Sequence, residues 1–364
     1  MYSLETLSGF DFELSSHCNA KCPQCPRYDI FGNLQKDLNV VHLDANIIKK
    51  LPIQKMKNLK TVNLCGNFGD PLMHPELNEV LTFFQNQQIS ISTNASLRSK
   101  EWWSNLGRNR NIDVMFCIDG IGTEHELYRR NTSYNKVLEN AKAFIESGGN
   151  ARWQFIVFRH NEHQINEAKK LSEDMGFKEI KFIYSDRFDT DNKWKVYGKN
   201  IKINFDSGET TFDLQDTNMV DNNYLYDLEK SSHQTTLRES LNAPEGQKYW
   251  KTLNQKKGKI SCVCSIERKL YIHSDGTVYP CCMLASVQLG KKIEKLMLKR
   301  LVRDYKKIDL HHNNLYDILE SDVFKKTLPD SFNGDPFQHP VCIEWCNKNT
   351  GKAYFNNKAV LDIH

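Results

Sequence analysis

From about residue 10 to residue 185 the chain alternates short β-rich runs with amphipathic stretches, and no other feature constrains its fold as strongly. Such alternation marks repeated β–α units, which gather parallel strands in one sheet and lay helices over it. Six strands are predicted: FDFEL (10–14), TVNL (61–64), ISIST (89–93), DVMFCI (113–118), WQFIVF (153–158) and EIKFIY (179–184). Between them, apolar residues recur at helical spacing over 75–86, 134–147 and 164–175, with Gly148 and Gly176 closing the last two. Six strands fall short of the eight of a closed barrel. The expected fold is therefore α/β, a partial (β/α)6 TIM-like parallel barrel over residues 1–185.

Residues 186–260 are dominated by Asp, Asn, Lys, Ser and Thr and read as a linker or insertion, with DTDNKWKVYGKN as exposed loop. Order returns over 261–364, expected to be a small α+β domain. There KLYIHSDGTVYPCC sets two β-rich runs around Ser274, Asp275 and Gly276, a hairpin signal, and a basic amphipathic helix is predicted over 291–307.

The net charge of +4 arises from nearly balanced acids and bases, so nucleic acid is not indicated as a partner. No apolar run approaches the roughly 18 residues of a membrane helix, and MYSLETLSGF lacks the regions of a signal peptide. A cytoplasmic protein is expected. Eleven cysteines are many for that compartment, where clustered thiols read as metal ligands before disulfides, and the odd total speaks against a complete disulfide framework.

Cys18, Cys22 and Cys25 are spaced C-x3-C-x2-C directly after the first strand. Four thiolates saturate a 4Fe-4S cluster, whereas three leave one iron open. S-adenosylmethionine can chelate that iron through its amino and carboxylate groups, placing its sulfonium where a reduced cluster can cleave it to a 5′-deoxyadenosyl radical. A zinc site or structural thiols are the plainer reading of the triplet alone. The residues at the other strand ends distinguish the two. Gly66, Gly69, Asp70 and Pro71 follow strand two, Thr93 and Asn94 end strand three, and Asp119 and Gly120 follow strand four, so all converge on one mouth. Glycine there permits close backbone approach, and Asp70 offers an acceptor for an ammonium group.

With these motifs the chain resembles the radical S-adenosylmethionine superfamily over roughly its first half. CGNFGDPLMHPEL is similar to the family's glycine-rich motif, with Asp70 where Glu is usual; the resemblance implies that this acid binds the methionine amino group. ISTNASL resembles the segment contacting the ligand's ribose or carboxylate, implicating Ser92, Thr93 and Asn94. CIDGIGTEHELYRRNTSYNKVLENAKAFIESGG resembles the fourth strand and following helix of members with SPASM or twitch extensions, where Arg129 or Arg130 could pair with the methionine carboxylate or lie on the surface. Gln24 stands where many members have an aromatic residue, and Cys117 where many have Ser.

Cys262, Cys264, Cys281 and Cys282 follow the linker, and Cys342 and Cys346 come near the end. The order Cys264, Gly276, Cys281 resembles the C-x(n)-G-x4-C hairpin that opens SPASM and twitch domains. The resemblance implies a twitch-type domain with one auxiliary 4Fe-4S cluster held by Cys264, Cys281, Cys342 and Cys346; Cys262 or Cys282 could replace a neighbour, and structural zinc is the alternative. Cys65 and Cys117 lie at strand ends where a thiol could donate a hydrogen atom, though a small buried apolar residue is the ordinary role for each. His17, His74 and His160 also lie near strand ends without the spacing of a ligand set.

The function implied is radical abstraction of hydrogen from a substrate carbon, first in peptide or protein modification, with an amino sugar, cyclitol or nucleotide as the other substrate class. A flavodoxin- or ferredoxin-type reductant is implied as partner. The reading from another class is a non-enzymatic iron–sulfur electron carrier, which has no use for Asp70, Thr93 and Asn94 at the mouth.

Overall fold

The computed structural model describes residues 2–28, 32–185, 201–205, 208–212, 214, 259–287, 292–333 and 338–346. Its centre is an eight-stranded sheet. Strands β1 (Gly9–Phe12), β2 (Thr61–Leu64), β3 (Gln88–Thr93), β4 (Ile112–Cys117), β5 (Asn150–Val157) and β6 (Glu179–Tyr184) lie side by side in chain order and pair in parallel. Helices connect them: α1 (Ala45–Lys49), α2 (Leu77–Phe83), α3 (Lys100–Gly107), α4 (Thr123–Tyr128), α5 (Tyr134–Glu146) and α6 (Ile165–Met175). The six-stranded parallel sheet of the expected partial barrel is present.

Strand alternation decides which side chains meet the helices. Along β5, Ala151, Trp153, Phe155 and Val157 are buried, while Asn150, Arg152, Gln154 and Ile156 on the opposite face are only partly so. The buried face packs on α3 and α5 through an aromatic cluster, with Trp103 at 5.2 Å and Phe144 at 5.8 Å from Phe116. Each such side chain contributes roughly 1.5–3 kcal/mol of burial. The other face carries Asp11, Asn63, Ser90, Ser92, Asp113 and Arg152, a polar layer of partly buried side chains. Helix α6 ends on Gly176 in the left-handed region (φ +85°), and Gly148 (φ +90°) turns the chain after α5.

The C-terminal segment does not stand apart from this sheet. Strand β9 (Lys269–Ile272) pairs in parallel with β1, Gly9 opposite Lys269 and Phe12 opposite Ile272, and β10 (Val278–Tyr279) folds back antiparallel on β9. The reason is the edge: β1 would otherwise present unpaired backbone groups. The hairpin turns at Gly276 (φ +84°), as its Ser-Asp-Gly sequence predicts. The residues expected as linker contain an antiparallel pair, β7 (Ile201–Phe205) with β8 (Gly208–Phe212), where no regular structure is predicted; the segment 189–200 lies outside the described residues. A helix at Lys292–Val302 answers the one predicted over 291–307. No helix among the described residues is long and apolar enough to cross a membrane.

Candidate active site at the C-terminal ends of the strands

Cys18, Cys22 and Cys25 lie in the loop that leaves β1, packed with Ala20, Tyr128 and Phe158. The loop tightens where the Cys25 amide donates to the Cys22 carbonyl at 3.0 Å. Burial pushes the Cys18 thiol well above its ordinary value, helped by Asp70, Cys22 and Cys25, and pushes Cys22 up to about 11 against the pull of Arg129. Left alone, these sulfurs hold their protons. A metal that takes the sulfur lone pair is what would make them thiolates here.

Two polar networks flank the trio. In the first, Asp70 is buried and its oxygens accept the Thr93 hydroxyl at 2.9 Å, the Leu72 amide at 2.9 Å and the Asn94 amide at 2.8 Å. Burial raises the Asp70 carboxyl above its ordinary value, and these donors oppose that rise. Asn94 in turn points its amide nitrogen at the Cys18 sulfur (3.7 Å) and at Asn19 Oδ1 (3.1 Å). Asp70 therefore ties the end of β3 to the turn after β2, and its lone pairs already serve three protein donors.

Cations surround the second network. Arg129 Nε contacts the fully buried Asp119 Oδ2 at 2.6 Å, the other Asp119 oxygen accepts the Ile156 amide at 2.7 Å, and Arg129 Nη1 reaches the Cys22 sulfur at 3.8 Å. Burial opposes the charge on Arg129, yet Asp119, Cys22 and Cys117 hold it well above its ordinary value. Burial lowers Arg130 to about 10, with Cys22 opposing. Its Nη2, and Nε and Nη1 of the buried Arg27, have no hydrogen-bond partner among the described residues. This donor-rich, cationic surround suits an anionic cluster and a ligand carboxylate.

Gly69 fits because it has no side chain: a Cβ there would fall on the Ser15 carbonyl oxygen. The Asp70 amide donates to His17 O at 2.8 Å, so the glycine-rich turn lies against the chain that leads into Cys18. A Cβ on Gly66 would stand 3.3 Å from Ser92 O. Ser92 is partly exposed on the opposite face of β3 from Thr93. Cys65 is partly exposed and 3.9 Å from Asn63 O, while Cys117 lies 4.0 Å from Gln154 Nε2. His74 is a packing residue, its ring nitrogens engaging Leu43 O (2.6 Å) and the Glu76 amide (3.2 Å).

Two groups at this mouth escape the sequence reading. His125, fully buried and held neutral by burial (down to about 3), accepts the Asp119 amide at 3.2 Å. Glu13 is fully buried at the end of β1, and burial pushes its carboxyl up to about 7. The one signal in the sequence is an acid at the C-terminal end of the strand segment FDFEL, where Asp11 is a second acid two positions before it.

The second cysteine set also assembles. Cys262 precedes a short helix, Val263–Glu267, that carries Cys264; Cys281 precedes Cys282–Ser286; Cys342 and Cys346 share Pro340–Cys346. The Cys262 sulfur is in hydrogen-bonding reach of Cys264, Cys281 and Cys346, which lifts those three thiols, burial adding to it. Burial, then the charge of Cys262, lifts Cys342. Cys262 is thus as central as the four cysteines the hairpin spacing implies. Among the described residues, no three His, Cys, Asp or Glu side chains are arranged around a single ion.

Residues 262–348 match the family model of SPASM, an iron–sulfur cluster-binding domain. The antilisterial bacteriocin subtilosin biosynthesis protein AlbA of Bacillus subtilis is 26% identical over 183 residues, 49% of this chain and 39% of that protein. The cysteine-type anaerobic sulfatase-maturating enzyme of Clostridium novyi is 22% identical over 95% of this chain and 89% of its own length. Among solved structures, native anSMEcpe with bound AdoMet and Cp18Cys peptide superposes with a TM-score of 0.53 at 16% identity, over 97% of this chain and 94% of that one. Streptococcus suis SuiB bound to precursor peptide SuiA gives 0.51 at 14% identity, over 92% and 66%. These two structural likenesses establish a shared fold.

Proposed function

We propose that the chain is a radical S-adenosylmethionine enzyme with a SPASM-type iron–sulfur domain, and that it abstracts a hydrogen atom from a carbon of a peptide or protein substrate. The observation that carries this reading is the continuous network Cys18–Asn94–Asp70–Thr93 at the strand ends, because an electron carrier needs cysteines but no such ligand cradle beside them. A 4Fe-4S cluster on Cys18, Cys22 and Cys25 would supply the electron that cleaves S-adenosylmethionine to the 5′-deoxyadenosyl radical.

The chain's own residues would do the rest. Gly66 and Gly69 let the turn close tightly on Ser92 and Ser15 beside the ligand; Asp70 holds Thr93 and Asn94 in place, with Ser92 on the opposite face of the strand. Arg129 and Arg130 place positive charge beside Cys22 and the ligand carboxylate, and Asp119 fixes Arg129. An auxiliary cluster would draw its ligands from Cys264, Cys281, Cys342 and Cys346 with Cys262 beside them, serving electron relay or structure. Reduction by a flavodoxin- or ferredoxin-type protein completes the scheme.

The peptide class is supported by the similar proteins: one takes part in bacteriocin biosynthesis, and SuiB and anSMEcpe have been solved holding peptides. The polar layer of Ser90, Asp113 and Arg152 offers hydrogen-bonding groups to a peptide backbone. The test is an anaerobic reaction with deuterated candidate peptides and mass-spectrometric detection of deuterium in 5′-deoxyadenosine. Transfer from a peptide supports the proposal; transfer only from a small molecule overturns the substrate class.

A further inference from the structure

Glu13 is a carboxylate that packing alone does not explain. It has no exposed surface, and an apolar residue would fill its place without the penalty of burying an acid. Its oxygens instead collect donors from two distant parts of the chain. The Phe68 amide donates to Oε1 at 2.9 Å, the Asn67 amide to Oε2 at 3.1 Å, and the Tyr271 hydroxyl to Oε2 at 2.8 Å. Asn67 and Phe68 form the interior of the Gly66–Gly69 turn, and Tyr271 belongs to β9, inside the SPASM match.

The surroundings strengthen this bridge. The Glu13 amide donates to Ile272 O at 2.9 Å, so its backbone is also fixed to β9. The Phe68 ring meets His273 edge-on at 5.7 Å, and His273 pairs with Asp275 at 3.0 Å. Tyr271, held well above its ordinary value by burial and by Glu13, remains a donor. Tyr271 also has a side-chain hydrogen bond with Asn67, so the turn and β9 meet directly at one point and through both Glu13 oxygens at the others.

We infer that Glu13 is a positioning residue that fastens the S-adenosylmethionine-binding turn to the SPASM domain, so that docking of that domain and ordering of the ligand pocket are one event. This rests on the reading of Gly66–Gly69 as the ligand's turn. Removing the carboxylate leaves the buried Phe68 amide and the part-buried Asn67 amide without this acceptor, and the turn gains freedom that ligand binding must then remove.

The test uses the reconstituted full-length chain and the variants Glu13→Ala, Glu13→Gln and Tyr271→Phe. Glu13→Ala raises the dissociation constant for S-adenosylmethionine by about tenfold, about 1.4 kcal/mol. Glu13→Gln recovers part of this, since its remaining oxygen still accepts, and Tyr271→Phe falls between wild type and Glu13→Ala. Iron content and turnover at saturating ligand stay at the wild-type level, and amide exchange accelerates at Asn67 and Phe68 while helix α6 is unchanged. Wild-type affinity in Glu13→Ala and Tyr271→Phe, or exchange rising evenly along the chain, overturns the inference. Should wild type itself fail to bind S-adenosylmethionine, the reading of the turn falls, and exchange at Asn67 and Phe68 in Tyr271→Phe still decides whether the bridge exists.

Discussion

Replacing Arg129 with methionine keeps most of the side chain's bulk and strands a fully buried carboxylate. Asp119 has no exposed surface; one oxygen holds Arg129 Nε at 2.6 Å and the other the Ile156 amide at 2.7 Å. Breaking such a pair from one side costs about 3–5 kcal/mol, because the remaining charge lies where water cannot solvate it. Converting Asp119 to asparagine as well removes that charge while keeping an acceptor for Ile156. Arg129→Met is therefore expected to lose about 3–5 kcal/mol, and the double variant Arg129→Met/Asp119→Asn clearly less than the sum of the singles, with a coupling of about 2 kcal/mol or more. The assay is urea unfolding of all four proteins in apo form under reducing conditions, at low and high salt. Salt should change little, since a buried pair is poorly screened. A coupling below about 0.5 kcal/mol, or one erased by salt, would refute the argument that this is a desolvated pair.

Other outcomes follow from the same geometry. Gly69→Ala places a methyl on the Ser15 carbonyl, so the turn must move and S-adenosylmethionine binding should drop by an order of magnitude or more in equilibrium dialysis while helix content by circular dichroism stays unchanged. Glu13 is raised to about 7, above its ordinary value, so the native state binds its proton more tightly than the unfolded chain. Its contribution to stability is full below about pH 4.5 and is lost as pH rises through about 7, a difference of about 3 kcal/mol; subtracting the Glu13→Gln stability profile from wild type should show this slope, and parallel profiles would contradict it. Cys281→Ala should reduce iron from about eight to about four atoms per chain and leave S-adenosylmethionine cleavage detectable, whereas an unchanged count would remove the auxiliary cluster.

Local signals made most of the barrel legible. TVNL and EIKFIY become β2 and β6 with their predicted ends, and Gly148 and Gly176 close helices because only glycine takes their left-handed conformation readily. Helices α1 and α3 are not among the predicted ones, although Ser99, whose hydroxyl accepts the Trp102 amide at 3.2 Å, is a recognisable cap for α3. What resisted reading were long-range pairings. Nothing in KLYI says that it will lie beside β1, more than 250 residues earlier, instead of within a separate domain. The same holds for Glu13, whose partners on β9 and in the 66–69 turn are chosen by the tertiary fold, and for Cys262, which spacing ranks behind Cys264 but packing puts among four other thiols. Asp70 was identified by its motif, while its three protein donors appear only in the folded chain.

The most direct measurement is 5′-deoxyadenosine release from S-adenosylmethionine by the reconstituted protein under anaerobic dithionite reduction. Wild type should release it, Cys22→Ala should release none, and the wild-type cluster signal in electron paramagnetic resonance should change when S-adenosylmethionine is added. A fully iron-loaded wild type that releases none, with a signal indifferent to S-adenosylmethionine, would contradict the open iron corner on which the proposed chemistry depends.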